Sequence, residues 1–107
     1  MALPEDVRRF FGHALNFAQH GEKHDAAKPL KGFGGTGVLE IVENDEGGTY
    51  RAVYTVRYEE AVFVLHCFQK KSKSGTATPR EDKAVIELRL KAAAARIKEI
   101  RDGKASG

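Results

Sequence analysis

The chain has 107 residues, 41% of them hydrophobic, which suffices for one small core and leaves no room for a second, so residues 1–107 are expected to form a single domain. Lys+Arg 18 against Asp+Glu 15 gives a net charge of +3, too even a balance to establish a nucleic-acid partner by itself, although the cations crowd the last third of the chain. No apolar run is long enough to cross a bilayer, the start lacks the design of a signal peptide, and the lone Cys67 excludes a disulfide within the chain; a cytoplasmic protein is expected.

Residues 4–19 read as a first helix, with Pro4 at its first position, Glu5 and Asp6 at the positive end of the dipole, and Gly21 as the stop. Val7, Phe10, Phe11, Ala14 and Ala18 recur at helical spacing, a stripe that must lie on a sheet or another helix. No good cap precedes Pro4, and nothing ahead of this helix is expected to pair with a sheet. His13, His20 and His24 invite a metal reading. Gly21 interrupts the helix between His20 and His24, however, and no third ligand follows at fixed spacing, so solvated histidines are the default.

Residues 21–37 form a polar, glycine-bearing connection. Its Gly32-Phe33-Gly34-Gly35-Thr36-Gly37 is formally G-x-G-x-x-G, but it precedes a strand, whereas a dinucleotide cradle needs the motif after a strand and at the opening of a helix. The glycines are read as a tight turn into the sheet, flanked by Lys28 and Lys31. Val38 to Glu43 is a strand with Leu39 and Ile41 on one face and Glu40 on the other, and residues 44–48 carry the turn chemistry of a hairpin to the next strand.

That next strand alternates. Tyr50, Ala52, Tyr54, Val56 and Tyr58 are apolar or aromatic, while Thr49, Arg51, Thr55 and Arg57 are polar around Val53, the period of a strand with one buried and one open face. Glu59 and Glu60 turn it into Ala61 to Phe68, apolar on both faces except for His66, as expected of a strand covered on both sides. The run then breaks into Lys70, Lys71 and Lys73. Two arginines on an open face above a lysine cluster would clamp phosphate; a solvated sheet face with a polar exit gives the same pattern. Leu39, Ile41, Tyr54, Val64 and Phe68 are the expected core of the sheet.

After a small polar loop, Thr78-Pro79-Arg80-Glu81 has the form of a capping box and opens a helix to about Arg101. Ile86, Leu90, Ala93, Ile97 and Ile100 form its apolar stripe, Lys83, Glu87 and Lys91 a solvated face, and residues 102–107 a frayed tail. The whole is an α+β domain: an N-terminal helix, a three-stranded antiparallel meander and a C-terminal helix.

Four stretches in this order carry a resemblance: Ala27-Lys28-Pro29-Leu30-Lys31-Gly32-Phe33-Gly34, Tyr50-Arg51-Ala52-Val53-Tyr54-Thr55-Val56, Leu65-His66-Cys67-Phe68-Gln69-Lys70-Lys71, and Thr78-Pro79 ahead of the last helix. Together they resemble the phage-derived branch of the RelE/HigB toxin superfamily over nearly the whole chain. The resemblance implies a type II toxin, a ribosome-dependent endoribonuclease that cuts messenger RNA and is silenced by a cognate antitoxin, a small helix-turn-helix protein. Arg51 matches the family's phosphate-stabilising arginine, and Lys71 falls where the family has a basic residue at the end of the last strand. The chain departs from the pattern in three places. It lacks a strand ahead of the first helix, it has Glu40 and other non-basic residues where RelE-type lysines stand, and residues 72–78 offer no counterpart of the catalytic tyrosine.

The implied chemistry is attack of a ribose 2′-hydroxyl on its neighbouring phosphate, which needs a base, an acid and cations around the phosphate but no metal or other cofactor. The planar guanidinium of Arg51 suits the phosphate. His66 is the only hairpin side chain that titrates near neutral pH and is the candidate acid or base, with a core histidine held by hydrogen bonds as the alternative. Arg51, His66 and Lys71 are thus the candidate catalytic set, and Lys28, Lys31, Arg57, Lys70 and Lys73 the candidate RNA contacts. A non-catalytic basic module of toxin ancestry, binding RNA or a protein, is the alternative function.

Overall fold

In a computed structural model of the protein, residues 4–22, 24–33, 37–45, 48–70 and 78–106 are described. The elements are α1 (Glu5–Gln19), β1 (Lys28–Pro29), β2 (Val38–Asp45), β3 (Gly48–Thr55), β4 (Phe63–Lys70) and α2 (Arg80–Ser106). All strands are antiparallel, in the order β1-β2-β3-β4. The α+β architecture of helix, meander and helix is as the sequence predicts. The connector adds β1, whose Lys28 pairs with Glu40 and Pro29 with Leu39. Proline is tolerated there because an edge strand has one side free of ladder bonds.

Each helix covers its own face of the sheet. Val7, Phe11, Ala14 and Ala18 of α1 are buried against Ile41, Tyr50, Ala52 and Tyr54, with Phe10, Leu39 and Cys67 partly buried beside them. Gly21 follows the helix at φ 77, a left-handed conformation in which glycine pays no Cβ penalty. The register pairs Leu39 with Tyr54 and Ile41 with Ala52, so the intervening pairs, Val38 with Thr55, Glu40 with Val53 and Val42 with Arg51, point to the opposite face. There Val38, Val53, Leu65 and Phe68 pack with Leu30 of the connector and Ile86 of α2. Neither face of β3 is therefore open where the alternation placed Arg51. Arg51 and Thr55 are buried on the α2 side, where Arg51 donates from Nη1 to Glu40 and Thr55 donates to the Gly37 carbonyl.

In β4 the simple alternation fails. Val53 pairs with His66 and Tyr54 with Val64, so Leu65 is the extra residue of a bulge. Leu65 turns inward at 1% exposure, and Val64, expected in the core, is 48% exposed on the edge strand. The other four expected core residues behave as the pattern requires: Ile41, Tyr54 and Phe68 are buried and Leu39 is half-buried.

Helix α2 runs on to Ser106, past the expected end near Arg101. Ile97 is buried, and Arg101 forks onto Glu60 with Nε to Oε2 at 2.6 Å and Nη2 to Oε1 at 3.2 Å, which ties the end of the expected helix to the β3–β4 connection, while residues 102–106, expected as a frayed tail, continue the helix. No helix among the described residues is long and apolar enough to cross a membrane.

Candidate functional site

The α2-side face of the sheet carries a polar group beside its apolar core. Arg51 donates from Nη1 to Glu40 Oε2 at 3.1 Å, and both side chains are largely covered, at 8% and 19% exposure. The pair is diagonal across β2 and β3, since Arg51 stands opposite Val42 and Glu40 opposite Val53. Continuing across the sheet, His66 stands opposite Val53 and Phe68 opposite Arg51. His66 Nε2 lies 2.8 Å from Asp82 Oδ1 in the first turn of α2, and the imidazole stacks on Phe68 with ring centroids 5.0 Å apart and planes 19° from parallel. The structure thus brings Arg51 and His66 onto one face as diagonal neighbours, each held by a carboxylate.

The candidate RNA contacts divide between two ends of the sheet. Lys28 on β1 and Lys31 in the turn after it are exposed, and Arg57 is exposed just beyond β3. Gly37 brings Arg57 to this end: Thr55 Oγ1 donates to the Gly37 carbonyl at 3.0 Å, and a Cβ on Gly37, at φ 74, would stand 3.2 Å from Arg57 N. Lys70 closes β4 at the other end, with its backbone paired to Thr49. Thr55 lies six residue steps along β3 from Thr49, about 20 Å at strand spacing. Lys71 and Lys73, and the side chain of Lys70, lie outside the described residues.

Sequence reasoning missed three participants. Glu40 was noted only as a non-basic residue, although the hairpin register places it diagonal to Arg51. Asp82 follows the capping box and could have been found only by knowing where α2 lands on β4. Lys83, expected on the solvated face with Glu87 and Lys91, is half-buried, and its Nζ would stand 3.2 Å from a Cβ on Gly32, which places a further cation beside the Lys31 turn.

Other features lie away from this group. His24 packs edge-on with Phe10 at 5.3 Å and Phe17 at 5.7 Å, and His13 with Phe17 at 5.0 Å, while His20 Nδ1 lies 2.8 Å from the Asn16 carbonyl oxygen. Among the described residues, no group of three or more His, Cys, Asp or Glu could hold a metal ion. An open cleft of about 970 Å³ lies between the end of α1 and the β3–β4 connection, lined by Ala18, Leu39, Val56, Tyr58 and Val62 among others, on the α1 side of the sheet. Burial pushes the Cys67 thiol above its ordinary range against a smaller opposing effect of Arg89, which makes it a poor nucleophile.

The family model of phage-derived protein Gp49-like matches residues 1–91. The chain belongs to this Gp49-like family. The match takes in both helix–sheet cores, the Glu40–Arg51 and His66–Asp82 pairs and the opening of α2, and it stops before the last turns of that helix. No curated protein and no solved structure matches the chain.

Proposed function

We propose that this Gp49-like protein is the toxin of a type II toxin–antitoxin pair and cuts messenger RNA on the ribosome, restrained by a cognate antitoxin of the small helix-turn-helix kind. The observation that carries the reading is the family match over residues 1–91, because the Gp49-like family is associated with toxin–antitoxin systems of the RelE/HigB type. The shared face of Arg51 and His66 supports it: a guanidinium suited to a phosphate lies beside an imidazole suited to proton transfer. In this reading Arg51, His66 and Lys71 act on the reacting phosphate, while Lys28, Lys31, Arg57, Lys70 and Lys73 hold RNA, and the chemistry runs without a metal. Arg51 reaches a phosphate by exchanging the Glu40 carboxylate for phosphate oxygens, a trade between two anions for the same donors.

One observation favours a second reading, a non-catalytic module that binds RNA or a protein. Arg51 is 6% exposed and already neutralised by Glu40, which is the form a structural ion pair takes. Induction of the chain in a bacterial host, with and without its neighbouring reading frame, separates the two. Growth arrest with new RNA 5′ ends at ribosomes, relieved by the neighbouring frame, is expected of the toxin. Normal growth with intact messages selects the binding module.

A further inference from the structure

We infer that Asp82 is a positioning residue for His66, fixing its hydrogen on Nε2 so that Nδ1 is the nitrogen that takes the proton of the ribose 2′-hydroxyl. The inference rests on the toxin reading above. An ionised carboxylate can only accept a hydrogen bond, so the 2.8 Å contact to Asp82 Oδ1 requires the hydrogen on His66 Nε2, and in the neutral ring the lone pair is then on Nδ1. Stacking on Phe68 at 5.0 Å sets the plane of the ring, and Asp82 sets its rotation within that plane. Other contacts also hold α2 to the sheet here. Ile86 is fully buried in the core below the pair, and Arg89 Nη1 donates to the Leu65 carbonyl at 2.9 Å one turn further on. At 17% and 25% exposure the two side chains are also within reach of solvent, unlike Leu65 and Phe68 of the same strand. Among the described residues, charged groups on this side of the sheet include Arg51 and Glu40, bonded to each other, Arg89, and the half-buried Lys83 beside Gly32.

The step balances as a transesterification. His66 Nδ1 takes the proton from O2′ as O2′ bonds to phosphorus, and the P–O5′ bond breaks with its electron pair on O5′, which takes a proton from water. The products are a 2′,3′-cyclic phosphate and a 5′-hydroxyl, and the imidazolium, stabilised by Asp82, returns its proton to solvent.

The test joins a spectroscopic and a kinetic readout on the full chain. Ring ¹⁵N shifts of the wild type at a pH where His66 is neutral should show the Nε2–H tautomer. Asp82→Asn keeps the shape but can present either an oxygen or an amide hydrogen to Nε2, so the tautomers should mix. In single-turnover cleavage on programmed ribosomes the same variant should slow the bound step by about 100-fold, with affinity within about twofold of wild type. A wild-type ring protonated on Nδ1, or a bound step untouched by Asp82→Asn, overturns the inference and leaves the toxin reading standing. Absence of any cleavage by the wild type instead removes the toxin reading and this role with it.

Discussion

Arg51 carries most of the functional argument, and its environment makes two claims that can be separated. As a largely covered guanidinium paired with Glu40, it should be costly to deprive of that carboxylate: Glu40→Ala is expected to lower the unfolding free energy by about 3 kcal/mol in urea denaturation, and a loss below about 1 kcal/mol would mean that the guanidinium is solvated or held elsewhere. As a phosphate ligand, it should tolerate Arg51→Lys in binding but not in chemistry, because lysine keeps the charge and loses the two-point grip. Cleavage should then fall by a larger factor than affinity, whereas Lys73→Ala should weaken binding, lessen its salt dependence and spare the bound step. Equal losses of binding in both variants with an unchanged bound step would reduce Arg51 to part of a basic surface. The sequence made Arg51 and His66 visible as polar residues in strand runs, but it could not show their carboxylate partners. Glu40 reaches Arg51 across a hairpin, and Asp82 reaches His66 across a helix–strand contact sixteen residues apart in the chain. Such pairings depend on register and docking, which composition does not encode.

Among the elements, the helices follow their sequence periods because each buries one face, and β2–β3 keep a period of two in residue type although the sheet is covered on both sides. β4 and β1 do not. A two-residue strand is too short to show a period, and the bulge at Leu65 shifts the inward positions of β4 by one, so an apolar run gave no clue that Val64 faces out. The exposures predict an asymmetry between neighbours of similar size. Leu65→Ala should cost about 2 to 5 kcal/mol and Val64→Ala less than about 1 kcal/mol in the same unfolding experiment. Similar costs at both positions would place the bulge elsewhere. The tie at Arg101 was not legible for a related reason, because its partner, Glu60, is on the β3–β4 connection and not in the helix.

For the whole molecule, burial ties stability to alkaline pH. Tyr54 is 1% exposed and its phenol is pushed above the usual 10.0, while the thiol of Cys67 is pushed above 9.0. In both cases the folded state keeps its proton to higher pH than the unfolded chain. The contribution is therefore fully present below the unfolded value and is lost as pH rises through the folded one. Urea midpoints should fall as pH climbs through 9 and then 10, and a midpoint that rises over that range would show that neither group is buried as described. The cations impose a different molecular constraint. Lys28, Lys31, Arg57 and Lys83 gather toward one end of the sheet, so RNA held by the proposed contacts among them would meet the molecule at that end. Single-turnover cleavage by the purified chain on programmed ribosomes tests the proposed function most directly. The account predicts a new 5′-hydroxyl end within the ribosome-covered message and none on the same RNA without ribosomes; a message that stays intact while the protein is bound to the programmed ribosome would contradict it.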